Sequence, residues 1–337
     1  MKLTYEQIKN ITWGADRVEL IDEYFRFFRF TKEQELAYYY RSLGQYKKVS
    51  LAPCVKLVFK TDSKNLWIRG VTDNTSTRNF YSIDVFANGK PVGYIDNFSN
   101  TELPEEYSSI SLPAGDVSGT FSLGEGEKTV TVYLPWSCKF MLSSLNIDEG
   151  AYVTPVRPEK HMLVFGDSIT QGYDCLRPSA HHIVRLGEAL SAEVKNKGVG
   201  GEIFWPELAS LADDGDFDYV TVAYGTNDWG VTDRATLQKN CAEFYATLSK
   251  KYPNAKIFAL GPIWRKNCNE IRSCGEFFNI IEDIENGVKD LPNVTFIDCF
   301  DFVPHDSKYF ADLYLHPNDE GFDHYYKNLL AEIKKYI

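Results

Sequence analysis

Ser168 lies in Gly166-Asp167-Ser168-Ile169-Thr170, directly after the apolar run Met162-Leu163-Val164-Phe165, where a strand that turns towards a helix would expose a nucleophile. Ester cleavage by a serine needs a base to take its proton and fixed donors for the negative charge that develops on the carbonyl oxygen. Three later segments carry residues of those types: Asn196-Lys197-Gly198-Val199-Gly200-Gly201, Gly225-Thr226-Asn227-Asp228 and His316-Pro317-Asn318. A serine hydroxyl is inert at its free pKa, so a neutral imidazole must accept its proton, which makes His316 the candidate base. Gly201 lets the chain approach the reacting carbonyl without a side chain in the way. Its N–H and that of Ser168 are therefore candidate oxyanion donors, with the Asn227 amide as the third. Gly198, Gly200 and Gly201 can equally be read as turn glycines with positive φ. Asp167 and Asp228 read as acceptors that brace their loops.

Singly, each segment is ordinary turn chemistry. In this order they resemble the SGNH, or GDSL, hydrolase superfamily, named for one Ser, Gly, Asn and His from such blocks. The resemblance covers roughly residues 160–337. It implies a serine esterase or acyltransferase that works through an acyl-enzyme, with no cofactor and no metal. The chain departs from the family at the orienting acid. Relatives usually carry Asp three residues before the histidine, where this sequence has Leu313, and Asp312 stands four before. One extra residue could bulge and still let Asp312 reach the imidazole. Alternatively a backbone carbonyl orients the ring, as in carbohydrate-esterase relatives that use a Ser-His dyad. Triad logic favours Asp312. Asp319 and Glu320 read instead as first-turn acids of a terminal helix.

The elements needed to position these residues fall into two patterns. Residues 55–150 alternate as short strands, at Val55–Lys60, Leu66–Arg69, Phe80–Ala87 before an Asn88-Gly89 turn, Thr129–Leu134 and Phe140–Ile147. That spacing predicts an antiparallel, jelly-roll-like β-sandwich. Thr31 and Gln34 form a capping-box start for a helix through Tyr40. Thr154-Pro155-Val156-Arg157-Pro158 reads as a short linker, so the expected domains are 1–154 and 155–337. From 161 onward strands alternate with helices: Met162–Phe165, Glu193–Asn196, Tyr219–Tyr224, Lys256–Leu260 and Val294–Ile297, with a helical face of Leu237, Cys241, Phe244, Tyr245 and Leu248. This predicts an α/β, flavodoxin-like domain with a five-stranded parallel sheet. Ser168, Gly201 and Asn227 each follow a different strand, so the sheet itself would gather them at its carboxyl edge.

Composition narrows the partners. The chain has 337 residues with 36 Lys+Arg against 47 Asp+Glu, a formal charge of −11, which argues against nucleic acid and anionic membranes as partners. The sequence Met1-Lys2-Leu3-Thr4-Tyr5-Glu6-Gln7 lacks the apolar core of a secretion signal, and seven scattered cysteines do not form a disulfide framework. Both point to the cytoplasm. His181 and His182 are adjacent, diverge on a helix, and suggest no metal site. Trp205, Trp229 and Trp264 follow three predicted strands at the catalytic edge, where flat rings could stack on a sugar. These features together predict removal of small acyl groups, acetyl foremost, from oligosaccharide hydroxyls. The alternatives are acyl transfer to an alcohol, and a catalytically inactive carbohydrate-binding protein.

Overall fold

The computed structural model describes residues 1–75 and 77–337. In the first half, two antiparallel sheets share one apolar core. One sheet runs Thr12–Trp13, Lys56–Thr61, Lys128–Tyr133, Ser82–Ala87, Lys90–Asp96, and Thr154–Pro155 also pairs with its second strand. The other runs Arg17–Ile21, Tyr24–Phe28, Lys139–Ile147, Asn65–Asp73, Asp116–Ser122. Along Asn65–Asp73 burial alternates residue by residue, so Leu66 and Ile68 meet Leu57, Phe59, Val130 and Val132 from the facing sheet.

Several strands carry weak sequence signals. Arg17–Ile21 and Tyr24–Phe28 form a hairpin whose turn residues, Asp22 and Glu23, have φ of 51° and 67°. An Asp-Glu pair is a poor advertisement for that turn, unlike Asn88-Gly89, which takes φ of 49° and 74° in the expected hairpin. Lys90–Asp96 and Asp116–Ser122 lie at sheet edges and contain Pro91 and Gly93, and Gly119. Proline and glycine are tolerated there because one side of the ladder is open.

The second half is a parallel sheet in the order Ala192–Asn196, Lys160–Gly166, Tyr219–Ala223, Lys256–Leu260, Val294–Ile297. Numbered along the chain this is 2-1-3-4-5, the flavodoxin-like order. Its switch point lies between the first strand and the third, where Ser168 and Asn227 emerge. Helices His182–Ala189 and Asp319–Ile333 pack on one face, and Arg234–Lys251 and Phe278–Val288 on the other. Among the described residues no helix is long and apolar enough to cross a membrane.

The two halves are joined by apolar packing. Helices Lys32–Arg41 and Leu43–Val49 belong to the amino-terminal half, yet Phe30, Tyr38 and Val49 sit in one core with Phe204, Tyr224 and Phe244 of the second. On the other flank Phe80, Tyr107, Tyr133 and Trp136 pack with Tyr173, Ile169 and Cys175. The segment read as a linker is itself tied down, since Thr154 and Pro155 pair with Lys60 and Phe59.

Candidate active site

Ser168 opens a four-residue helix, Ser168–Gln171, at the end of the strand Lys160–Gly166. The turn is tight because Gly166 has no room for more: a Cβ there would meet Thr170 Oγ1 and the Ala223 carbonyl at 2.1 and 2.9 Å. Asp167 caps the helix by accepting the Ile169 N–H at 2.9 Å, and burial pushes its carboxyl up to about 6. Only 5 % of Ser168 is exposed. Its Oγ lies 2.8 Å from His316 Nε2, and His316 Nδ1 lies 2.7 Å from Asp312 Oδ2. With Nδ1–H donated to the carboxylate, Nε2 presents a lone pair to the Ser168 hydroxyl.

The extra residue before the histidine is accommodated by one left-handed position. Leu313 has φ of 56°, and the loop closes on Asp312 Oδ1, which accepts the N–H groups of Tyr314, Leu315 and His316 at 2.9, 2.7 and 3.0 Å. The Ala311 N–H donates to the His316 carbonyl at 2.9 Å and seals the ring. Burial raises the Asp312 carboxyl, but the bond and charge of His316 and the loop N–H groups outweigh it and hold it at about 2. Asp319 faces elsewhere and accepts the Leu176 N–H at 2.8 Å.

The three loop glycines differ in kind. Of Gly198, Gly200 and Gly201, only Gly201 has positive φ, 83°. The other two are required by contact: a Cβ on Gly198 would lie 2.8 Å from the Gln171 nitrogen, and one on Gly200 2.5 Å from the Tyr173 hydroxyl. Asn196 Oδ1 accepts the Gly198 N–H, and Gln171 Oε1 accepts that of Gly200, both at 2.7 Å. Among the described residues no acceptor takes the Gly201 N–H. The Asn227 amide donates one hydrogen to the Glu202 carbonyl at 3.0 Å and retains a second. Asp228 braces this side as expected, accepting the Phe204 N–H at 3.2 Å, and burial pushes its carboxyl up to about 7.

Other contributors carry no local sequence signal. Asp174 is wholly buried with Oδ2 at 3.6 Å from His316 Nδ1, and Arg78 from the amino-terminal half holds it through both oxygens, Nη2 to Oδ2 at 2.9 Å. Tyr173 lies against the imidazole with ring centroids 5.4 Å apart. Arg265 donates to the Thr226 carbonyl at 3.0 Å and steadies the Gly225–Asp228 turn. Asp174, Asp312 and His316 bring donor atoms within 4.8 Å of one another, as a metal would require. Those atoms are engaged: Arg78 takes both Asp174 oxygens, and Asp312 faces the imidazole and three backbone N–H groups.

The tryptophans divide. Trp229 is fully buried, with its N–H donated to the Gly275 carbonyl at 2.8 Å and Arg265 and Arg272 each 5.1 Å from the ring centre. It is packing and has no face for a sugar, which corrects the expectation for this residue. Trp205 is half-buried, with the Arg41 guanidinium 4.1 Å from its ring centre and Tyr38 edge-on at 5.1 Å. Trp264 is half-buried and stacked on His305 at 5.3 Å.

Comparison with known proteins agrees with this fold. Residues 164–324 match the model of the GDSL-like Lipase/Acylhydrolase family. No curated protein matches the sequence. Among solved structures, a salicylyl-acyltransferase from a tetracycline biosynthetic pathway superposes with a TM-score of 0.79 at 17% identity, covering 96% of this chain and 94% of that one. A Bacteroides ovatus protein assigned as a GDSL-like lipase gives 0.76 at 18% identity, covering 99% and 97%. A family two carbohydrate esterase from Cellvibrio japonicus gives 0.64 at 18% identity, covering 98% and 96%. These likenesses extend over both halves and concern the fold. From the strand that presents Ser168 to the helix that follows His316, the chain carries a domain that matches the model of the GDSL-like lipase/acylhydrolase family.

Proposed function

We propose that the protein is a serine esterase that removes small acyl groups, acetyl foremost, from oligosaccharide hydroxyls. The observation that carries the esterase reading is the relay of 2.8 and 2.7 Å from Ser168 through His316 to Asp312, beside an uncommitted Gly201 N–H. In this reading Ser168 Oγ attacks the ester carbonyl as Nε2 takes its proton. The N–H groups of Ser168 and Gly201 and the free hydrogen of the Asn227 amide receive the oxyanion. Collapse of the intermediate breaks the C–O bond, and the imidazolium returns its proton to the departing sugar hydroxyl. Water, activated by the same imidazole, then releases the acid and restores the serine. Asp312 keeps Nδ1 protonated and supports the imidazolium throughout.

The sugar reading draws on the carbohydrate esterases among the structural neighbours and on Trp205 and Trp264 at the sheet edge. The acyltransferase neighbour supports the second reading, transfer of the acyl group to an alcohol. In our reading residues 1–154 form an accessory sandwich that shapes the cleft. Seven buried, unpaired cysteines support a reducing compartment such as the cytoplasm.

Acetylated manno-, xylo- and gluco-oligosaccharides and aryl acetates, assayed with wild type and Ser168→Ala, test the proposal. Release of acetate by wild type alone is the expected result. Full activity in Ser168→Ala would sink the esterase reading. Turnover of aryl acetates without any oligosaccharide would remove the sugar, and acetylated alcohol in place of acetate would establish transfer.

A further inference from the structure

The Gly201 N–H belongs to the same planar peptide unit as the Gly200 carbonyl, so whatever fixes that carbonyl also fixes the donor, which points the opposite way across a trans bond. The Gly200 carbonyl accepts from Lys48 Nζ at 2.7 Å. Lys48 comes from the helix Leu43–Val49, in the amino-terminal half. Among the described residues, a Cβ on Gly201 would approach the Lys48 ammonium at 3.9 Å. We propose that Lys48 is a positioning residue of the oxyanion hole: its ammonium holds the Gly200–Gly201 peptide with the Gly201 N–H turned to the reacting carbonyl and polarises that bond as charge develops. The inference rests on the esterase reading above.

Two further observations bear on it. Lys48 is half-buried, and among the described residues no carboxylate lies within 4.0 Å of it. Burial lowers its pKa, with Glu202 acting in the opposite sense. A desolvated cation without a contacting counter-ion is costly as a plain structural brace. Beside a centre that becomes negative in the transition state, the same charge acts most strongly when it is needed.

The second observation is how Lys48 is held. Arg29, wholly buried, donates Nη2 to the Lys48 carbonyl at 3.2 Å, Nη1 to the Asn196 carbonyl at 2.7 Å and Nε to the Leu51 carbonyl at 3.0 Å. Asn196 begins the segment that ends in Gly201, and its own side chain fixes Gly198. One guanidinium thus locks the backbone of the lysine to the start of the loop that the lysine grips at its far end.

The test uses the full chain with Lys48→Met, which keeps an apolar stem, Lys48→Gln, which keeps a neutral donor, and Lys48→Arg. Kinetics on a small aryl acetate, inhibition by phenylboronic acid, whose serine adduct is an anionic tetrahedron, and melting temperature are measured for each. Lys48→Met should lower kcat by roughly ten- to a hundredfold with KM within about twofold, and weaken the boronate by a similar factor. Lys48→Gln should fall between Lys48→Met and wild type, and Lys48→Arg should recover most of the loss. Wild-type kcat in Lys48→Met, a loss confined to KM, or a loss explained by a lost cooperative melt would each overturn the inference. Activity in Ser168→Ala would instead overturn the esterase reading beneath it.

Discussion

At the scale of single residues, the histidine of this site stands between two carboxylates with different duties. Asp312 contacts Nδ1 at 2.7 Å and is held ionised at about 2, so it stays a pure acceptor at any pH where the imidazole works. Asp174, at 3.6 Å, spends both oxygens on Arg78 and touches the ring less directly. Replacing Asp312 by Asn keeps an oxygen for the loop N–H groups but removes the negative charge beside Nδ1 and permits the wrong tautomer. We expect Asp312→Asn to lower kcat by on the order of a thousandfold, with little change in KM. Steady-state kinetics check this, and retention of most activity would move the orienting role to Asp174 or to a backbone carbonyl. Asp174→Asn should cost less, about tenfold, because its carboxylate faces the ring from 3.6 Å and is already neutralised by Arg78.

At the scale of elements, the spacing of Asp312 and His316 works because of one backbone angle. Leu313, at φ of 56°, absorbs the extra residue and lets Asp312 Oδ1 collect three N–H groups. A leucine tolerates that conformation at a cost of about 1 kcal/mol, and a β-branched side chain tolerates it worse. Leu313→Gly should therefore keep activity and leave the melting temperature unchanged or slightly higher. Leu313→Val should lose about 1–2 kcal/mol and a large part of kcat, as denaturant melts and kinetics on the same samples would reveal. Activity in Leu313→Val equal to wild type would mean that the loop does not depend on this angle. The same logic separates what could be read in advance from what could not. The positions of Ser168 and Asn227 were legible because each sits just past a strand whose apolar run is plain in the sequence, and that of Gly201 because a glycine-rich turn follows Asn196. The distance from Asp312 to the ring was not, since it depends on a φ value that leucine does not announce. Edge strands with Pro91 or Gly119 and the Asp22-Glu23 turn were hidden for a similar reason, their residue types being permitted there without being typical. Lys48 and Arg78 were illegible because only tertiary packing brings the amino-terminal half to the site, and Asp174 because only the folded loops bring it to His316. Trp229 misled because a ring near a strand end can face inwards as readily as outwards.

At the scale of the whole molecule, the site lies where two apolar cores meet a buried polar layer, and that layer makes stability depend on pH. Asp228 is fully buried, with Oδ1 on the Phe204 N–H, while among the described residues Oδ2 has no partner. Burial raises its carboxyl to about 7, against about 4 in an unfolded chain. The folded state therefore binds more protons than the unfolded state between those values, and its stability falls as pH rises through about 4 to 7, then levels off. His181 and His182 act in the opposite sense. Burial lowers both below the ordinary histidine value, so their contribution is full above about 6.5 and declines as pH falls. The raw melting curve mixes the two, and a difference separates them. Asp228→Asn keeps an acceptor for Phe204 and cannot ionise, whereas the histidines are common to both proteins. The stability of Asp228→Asn minus that of wild type should rise by on the order of 2–4 kcal/mol between pH 4 and pH 7.5 and stay flat beyond, whatever constant offset the buried amide introduces. Urea denaturation of the two proteins across that range measures it. A difference independent of pH would mean that Asp228 ionises as an ordinary carboxylate, and that its surroundings beside Phe204 are hydrated rather than dry.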